Sequence, residues 1–275
     1  PLARDLPFAQ SANLDAAIRQ SDYSTAGSQL SWNIGADWSP IPDIRFRAVK
    51  ALAVRAPNVG ELFSPGSEGF ITVDDPCDAN FVGGGSSSRS ANCAALGITQ
   101  PFQSNAQTIN IRTFSSGNAD LDVEEADTTT LGFVLTHRFL ENLTLTVDYF
   151  EIEISDAIAL LQVQDILNSC VDLPDINNVF CGQISRASNG DLEQIRRQNV
   201  NTAELIREGV DIDVRYNFSM GDYGSLALGA IATHSLTNEQ TTVPGAPDGG
   251  GFIDNNGEIQ SPEWRGRFTA DWIWG

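Results

Sequence analysis

The sequence predicts an all-β fold: part of an antiparallel, up-and-down transmembrane β-barrel, with about seven long strands and long extracellular loops. Three observations predict it. Apolar and polar residues alternate strictly over segments of about a dozen residues. These segments far exceed the usual strand of ~5–6 residues. The connections between them are alternately short and long.

The first segment, 28–38, carries Leu30, Trp32, Ile34, Ala36 and Trp38 on one face and Gln29, Ser31, Asn33, Gly35 and Asp37 on the other. In 43–54 the apolar face holds Ile44, Phe46, Ala48, Leu52 and Val54, with Lys50 as an exception. In 125–137, Leu131, Phe133 and Leu135 alternate with Gly132, Thr136 and the threonines before them. In 142–154, Leu143, Leu145, Val147 and Tyr149 alternate with Thr144, Thr146 and Asp148. The phase then flips to Phe150, Ile152 and Ile154, as a bulge or the membrane edge would produce. In 206–218, Ile206, Val210, Ile212, Val214, Tyr216 and Phe218 alternate with charged and small residues. In 223–235, Leu226, Leu228, Ala230 and Ala232 share a face. The last segment, 263–274, sets Trp264, Phe268, Ala270, Trp272 and Trp274 against Glu263, Arg265, Arg267, Thr269 and Asp271.

A strand of ~12 residues rises about 40 Å and still spans about 30 Å when tilted by ~40°, the apolar height of a bilayer. The linkers 39–42, 138–141 and 219–222 are short turns, whereas 55–124, 155–205 and 236–262 are long. That places every long loop at one end, as in outer-membrane barrels. The apolar face is expected to meet lipid, because charge there costs ~2–4 kcal/mol near the bilayer centre. Arg45, Arg47, Arg207, Asp211, Asp213, Arg215, Arg265, Arg267 and Asp271 then face the lumen. Trp32, Trp38, Tyr149, Tyr216, Phe218, Trp272 and Trp274 lie near strand ends, where aromatic girdles belong.

Composition narrows the function. The chain has 275 residues, 36 acidic against 16 basic, and a net charge of -20, which disfavours binding to nucleic acid. Yet 41% of residues are hydrophobic and only 19% charged, so it is no disordered acidic tail. No apolar run of ~18 residues exists to form a membrane helix. No basic segment followed by an apolar run opens the chain, so no signal peptide is expected within it. His137 and His234 stand in no hydrolase motif and no GxSxG elbow occurs, so no enzyme and no cofactor are expected. Asp74 and Asp75 read as loop solvation. Gly83, Gly84 and Gly85 precede three serines and read as a flexible linker.

All four cysteines fall in the two longest loops: Cys77 and Cys93, then Cys170 and Cys181. Even count and local spacing fit two loop disulfides and an oxidising, extracytoplasmic setting. Free thiols or a zinc site are the alternatives, but no CxxC pair or nearby histidine supports zinc, and no metal site is expected. Helical spacing of Ile158, Leu161, Val163, Ile166 and Leu167 predicts a short helix within 156–169.

Several motifs occur in an order that resembles the barrel of TonB-dependent outer-membrane receptors. Arg55-Ala56-Pro57-Asn58 with Glu61-Leu62-Phe63 is similar to the family motif where a strand leaves the membrane. Asp75-Pro76-Cys77 resembles its DPC loop element, and Asn118, Leu121 and Glu124 resemble residues that precede the next strand. The family often has proline where this chain has Ala119 and Val123. Leu131-Gly132, Val147-Asp148-Tyr149-Phe150 and Gly209-Val210-Asp211 are similar to later strand signatures. The resemblance implies that 1–275 is one piece of a barrel domain in the outer membrane of a Gram-negative bacterium. It implies an energy-coupled receptor that imports a scarce ligand such as a ferric siderophore or a saccharide. It also implies partners: a plug domain inside a barrel of about 22 strands, the TonB energy-transducing complex, outer-membrane lipid and a small-molecule ligand. No plug or TonB box is recognised within these residues. A passive porin-like barrel and a secreted soluble all-β binding protein are the competing readings.

Overall fold

The protein was analysed as a computed structural model that describes residues 1–136, 142–243 and 252–274. Its first strands are β1 (Ala3–Leu6), β2 (Ala9–Tyr23), β3 (Gly27–Ile41) and β4 (Ile44–Arg55). Next come α1 (Val59–Phe63), β5 (Ser67–Ile71), α2 (Arg89–Ala95), β6 (Ile111–Ser116), β7 (Glu124–Thr136) and β8 (Leu143–Leu160). The chain continues through α3 (Val163–Asp172), β9 (Ile184–Arg186), β10 (Leu192–Ser219), β11 (Ser225–Thr241), β12 (Ile253–Asp254) and β13 (Trp264–Ile273). The main sheet runs β1-β2-β3-β4-β7-β8-β10-β11-β13, every neighbour antiparallel. Among the described residues β1 and β13 do not pair with each other, so the sheet is an open wall.

All seven predicted strands are present, and most run further than the alternation indicated. Two predictions need correction. β2 was not predicted: its apolar side, Leu14 and Ile18, alternates with Ala17 and is spaced by Ala12 and Ala16, so contrast between faces is low. The helix lies at Val163–Asp172, displaced from 156–169. Ile158 and Ala159 instead pair with Asn201 and Val200, and this ladder outcompetes local helical spacing. Val163, Ile166, Leu167, Cys170 and Val171 then form the buried stripe of α3. The turn expected at 138–141, and His137, lie outside the described residues.

Paired residues share a face, so the register carries each side chain across the wall. On β10, Val210, Ile212, Val214 and Tyr216 pair with Tyr149, Val147, Leu145 and Leu143 of β8. They pair on the other side with His234, Ala232, Ala230 and Leu228 of β11. With Phe218 the apolar positions cover about 26 Å along the strand at ~3.3 Å per residue, the scale of an outer-membrane apolar band, ~25 Å. Aromatic residues stand at both limits. His234 stacks on Trp264 at 4.2 Å, and Tyr216 stacks on Phe218 at 5.4 Å.

The phase flip after Tyr149 is a polarity inversion without a bulge. β7 and β8 stay in unbroken register from Glu125↔Ser155 to Thr136↔Thr144. Glu151 therefore follows Tyr149 on the same face, paired with Thr129 and Glu208. One row further lie Asp127, Glu153 and Ile206. Lys50, the exception in its strand, belongs to this polar level and pairs with Asp127. The apolar face thus ends at one level on four neighbouring strands.

The inversion makes a stability prediction. Val214→Arg, inside the band, destabilises the full-length barrel by about 2–4 kcal/mol, whereas Glu153→Arg, above it, costs about 0–1 kcal/mol. Denaturant titration in lipid vesicles measures both.

Candidate functional site: a charged wall under a braced extracellular cap

The face opposite the apolar band is charged. One row reads Asn13, Asp37, Arg47, Gly132, Asp148, Asp211, Thr233 and Arg265 across β2 to β13. The next row toward the short turns contains Arg45, Thr146, Asp213 and Arg267. Arg47 reaches Asp148 with two bonds, of 2.8 and 2.5 Å, although β7 lies between their strands. Gly132 makes this crossing possible. A Cβ there would sit 2.2 Å from Oδ1 of Asp148 and 2.5 Å from the Arg47 side chain. Arg45 pairs with Asp37 at 3.5 Å, Arg215 with Asp213 at 2.8 Å, and Thr233 donates to Asp211 at 2.6 Å.

Arg207 donates to the backbone carbonyls of Ile206 and Glu239, both at 3.3 Å. Arg265 and Arg267 have no carboxylate within ion-pair distance among the described residues. By register Arg45, Arg47, Arg207, Asp211, Asp213, Arg215, Arg265, Arg267 and Asp271 share one face of the sheet. The wall therefore holds an internal ion-pair ladder and, near β13, cationic groups open to an outside anion.

The motif at 55–63 folds into a junction where β4 leaves the wall. Asn58 caps α1: its side chain accepts from the Glu61 backbone N–H, and the Glu61 carboxylate accepts from that of Asn58. Arg55 holds Glu61 at 3.1 Å and also binds Glu124 on β7. Glu124 further accepts from the Ile158 backbone N–H at 2.7 Å. The Arg55 guanidinium holds the Glu124 carboxyl below its usual range, against the opposing effect of burial. Pro57, Leu62 and Leu121 are buried, while Phe63 is exposed. The Asn118 backbone N–H donates to the Glu61 carbonyl of α1, and its side-chain amide donates to the Asn199 carbonyl on β10. Gly117 lies so close to α1 that a Cβ would meet the Leu62 carbonyl at 2.6 Å. Two motifs distant in sequence thus become one clamp.

Beyond the junction, the two long loops fold together into a cap. β5, β6, β9 and the first part of β10 form a second small sheet, with β6 parallel to β10. α3 packs beneath it on a core that includes Ile98, Ile111, Leu167, Phe180 and Ile195. Both disulfides form as expected, Cys77–Cys93 and Cys170–Cys181, and both contribute to that core. Two buried ion pairs cross between loops. Arg89 on α2 grips Asp172 on α3, and Asn92 donates to the Val171 and Leu173 carbonyls. Arg186 holds Asp75 with two bonds of 2.7 Å, while Ser104 and the Cys77 backbone donate to the same carboxylate.

The reading of Asp75 as loop solvation is therefore corrected: the residue is buried because its charge is paired and fully hydrogen-bonded. Asp74 stays exposed and accepts from Gln107. The Gly83 to Gly85 stretch turns back toward Arg89, whose side chain fills the space above Gly85. No sequence signal pointed to Arg89 or Asp172, since the two partners lie 83 residues apart. Among the described residues no cluster of His, Cys, Asp or Glu suits a metal ion. What the arrangement offers chemically is ionic contact on the wall and a rigid surface above it.

Three measurements test this geometry. Gly132→Val costs about 1–3 kcal/mol by overpacking, whereas Asp148→Asn, which loses only a partly exposed ion pair, costs about 0–1 kcal/mol. Chemical denaturation separates them. Cys77→Ser with Cys93→Ser lowers cap stability by about 3 kcal/mol in the chain-entropy view, and hydrogen exchange across 73–106 and 161–195 rises together. For the Glu124 clamp the folded carboxyl is the stronger acid. Its stabilisation is fully present above the ordinary carboxylate range and is lost as pH falls from that range through the lower folded value. The amide protection factors in 58–63, corrected for the intrinsic pH dependence of exchange, fall on acidification, and Glu124→Gln removes this fall.

Comparison with known proteins places the geometry. Residues 4–275 match the family described as TonB dependent receptor-like, beta-barrel. No protein of curated function matches the sequence. Among solved structures, a mutant of the ferric enterobactin receptor PfeA of Pseudomonas aeruginosa in complex with enterobactin matches at 14% identity and TM-score 0.58. The match covers 95% of this chain and 28% of that one. The siderophore receptor PirA of Acinetobacter baumannii matches at 16% identity and TM-score 0.50, over 84% of this chain and 27% of that one. This chain therefore spans less than a third of the structures it resembles. The chain belongs to the TonB-dependent receptor-like β-barrel family of the Gram-negative outer membrane.

Proposed function

We propose that this segment supplies part of the wall and extracellular cap of an energy-coupled importer of a scarce ligand, such as a ferric siderophore or a saccharide. The observation that carries the reading is β10. Its 28 residues run unbroken from the cap core into the charged face of the wall. Ligand contact outside and a charged surface inside are thereby built on one rigid element. The named ligand of the PfeA structure makes siderophores the first class to test.

In this reading the apolar face meets lipid and Arg45, Arg47, Arg207, Asp211, Asp213, Arg215, Arg265 and Arg267 face the lumen. Arg265 and Arg267 contact carboxylates of a plug domain contributed by the whole receptor, and TonB acts on that plug. The cap favours a receptor over a passive porin-like barrel, because a pore gains nothing from two loops fused over one disulfide-braced core.

Uptake of radiolabelled ferric siderophores by cells with and without the full-length gene tests the proposal. Uptake is lost on deletion and abolished by a protonophore; uptake that survives the protonophore contradicts energy coupling. Arg265→Ala with Arg267→Ala makes the outer membrane leak large antibiotics if these residues hold the plug. A raised KM for uptake without leakage would assign them to ligand instead.

A further inference from the structure

A pocket of about 230 Å³ lies at the long-loop end of β10 and β11, between the charged face of the wall and the turn that ends at Ser261. Pockets for drug-sized ligands measure ~300–1,000 Å³, so this one admits a single ring-sized unit of a larger ligand.

Register sets its contents. Arg207 of β10 stands directly opposite Asn238 of β11. One row toward the short turns, Gly209 pairs with Phe150 on one side and Ser235 on the other. Gly209 has no side chain, and the Phe150 ring takes that space: a Cβ there would lie 2.5 Å from the tip of the ring. The ring therefore reaches across β10 toward β11. At the same level Leu236 is an extra residue in β11, since Ser235 pairs with Gly209 and Thr237 with Glu208. This bulge puts Ser235 and Asn238, three residues apart, on one face.

Two groups here lack partners. Asn238 is only 7% exposed, and its amide N–H donates to the Ser261 hydroxyl, yet its Oδ1 has no donor among the described residues. A buried carbonyl left so carries a desolvation penalty that a bound group relieves. Arg207 engages only Nη1, on two backbone carbonyls, and no carboxylate lies within ion-pair distance among the described residues. Arg207 therefore calls for an anionic oxygen. Asn238 calls for a donor, or for an acceptor if its amide is reversed and Ser261 donates to it. A hydroxyl satisfies either orientation, because it both donates and accepts. A ligand presenting only carboxylate oxygens would leave Oδ1 unpartnered.

We propose that this pocket binds one acidic sugar unit, with its carboxylate on Arg207, a ring hydroxyl on Asn238 and its C–H face on Phe150. The proposal rests on the importer reading and names the ligand class for it, a uronic-acid-type saccharide. Arg265 lines the far end, at the row of Asp211 and Thr233 four residues along β10, and stays available to the plug.

Saturation-transfer NMR on the full-length receptor carrying this chain, in detergent micelles, uses glucuronate, glucose and benzoate as probes. Glucuronate binds about tenfold more tightly than glucose, the factor one hydrogen bond to a charged group contributes. Benzoate has the charge and a ring without hydroxyls, and it binds more weakly than glucuronate. Arg207→Gln removes the difference between glucuronate and glucose. Asn238→Asp keeps the shape of the side chain and still accepts from Ser261, but its carboxylate neutralises Arg207 and turns the preference toward glucose. Circular dichroism establishes that both variants fold. Absence of glucuronate binding, equal affinity for glucuronate and glucose in the unmodified receptor, or a preference unchanged by Arg207→Gln overturns the proposal. Uptake by cells reads the importer separately. Protonophore-sensitive uptake of a ferric siderophore without glucuronate binding refutes the pocket alone. Glucuronate binding with uptake that survives the protonophore refutes energy coupling alone.

Discussion

The ladder between β8 and β10 is the constraint on which the rest depends. From Leu205↔Ile154 to Tyr216↔Leu143 it has no slip. Strand side chains alternate with period two, so a slip of one residue would exchange the faces. Asp211, Asp213 and Arg215 would then meet lipid, at ~2–4 kcal/mol for a charge near the midplane. Val210, Ile212 and Val214 would line a polar surface. In the proposed orientation the bilayer fixes the register, and the register fixes which charges meet across the wall. Arg47 can reach Asp148 only because both stand opposite Gly132 in that register.

The same ladder joins wall to cap. β10 pairs first with β9 and β6, then with β8 and β11. Buried ion pairs are weak evidence for stability but costly to break. In the cap, Arg89–Asp172 and Arg186–Asp75 are each joined by further hydrogen bonds, and they tie loop to loop where few strands are available. Disulfides add covalent closure to the same core. The two loops therefore share one core, joined to the wall through β10 and the Arg55 clamp.

Much of the wall was legible because membrane strands advertise themselves by alternation. Ile206 to Phe218 could be read directly, and its two faces appear as expected. β2 was not legible, because alanine on both sides of Leu14 and Ile18 erases the contrast. The inversion after Tyr149 was visible as a change of phase. Only the unbroken β7–β8 register excluded a bulge, which gives the same one-dimensional pattern. The motifs around Arg55 and Glu124 could be recognised separately, but their union depends on β4 and β7 pairing over a long intervening loop. Asp75 shows the limit most plainly. A carboxylate beside another in a polar loop reads as solvated until Arg186, far along the chain, arrives to neutralise it.

The central claim is that the lipid-facing band ends between the row of Tyr149 and Val210 and the row of Glu151 and Glu208. Spin labels placed singly at Val210, Val214, Phe218, Glu208 and Ile206 of the full-length receptor in bilayers address it directly. Collision with oxygen, which partitions into lipid, is compared with collision with a water-soluble nickel complex. Oxygen dominates at Val210, Val214 and Phe218, and the nickel complex dominates at Glu208 and Ile206. A smooth profile with no reversal between Val210 and Glu208, or lipid exposure at Glu208, would contradict the account.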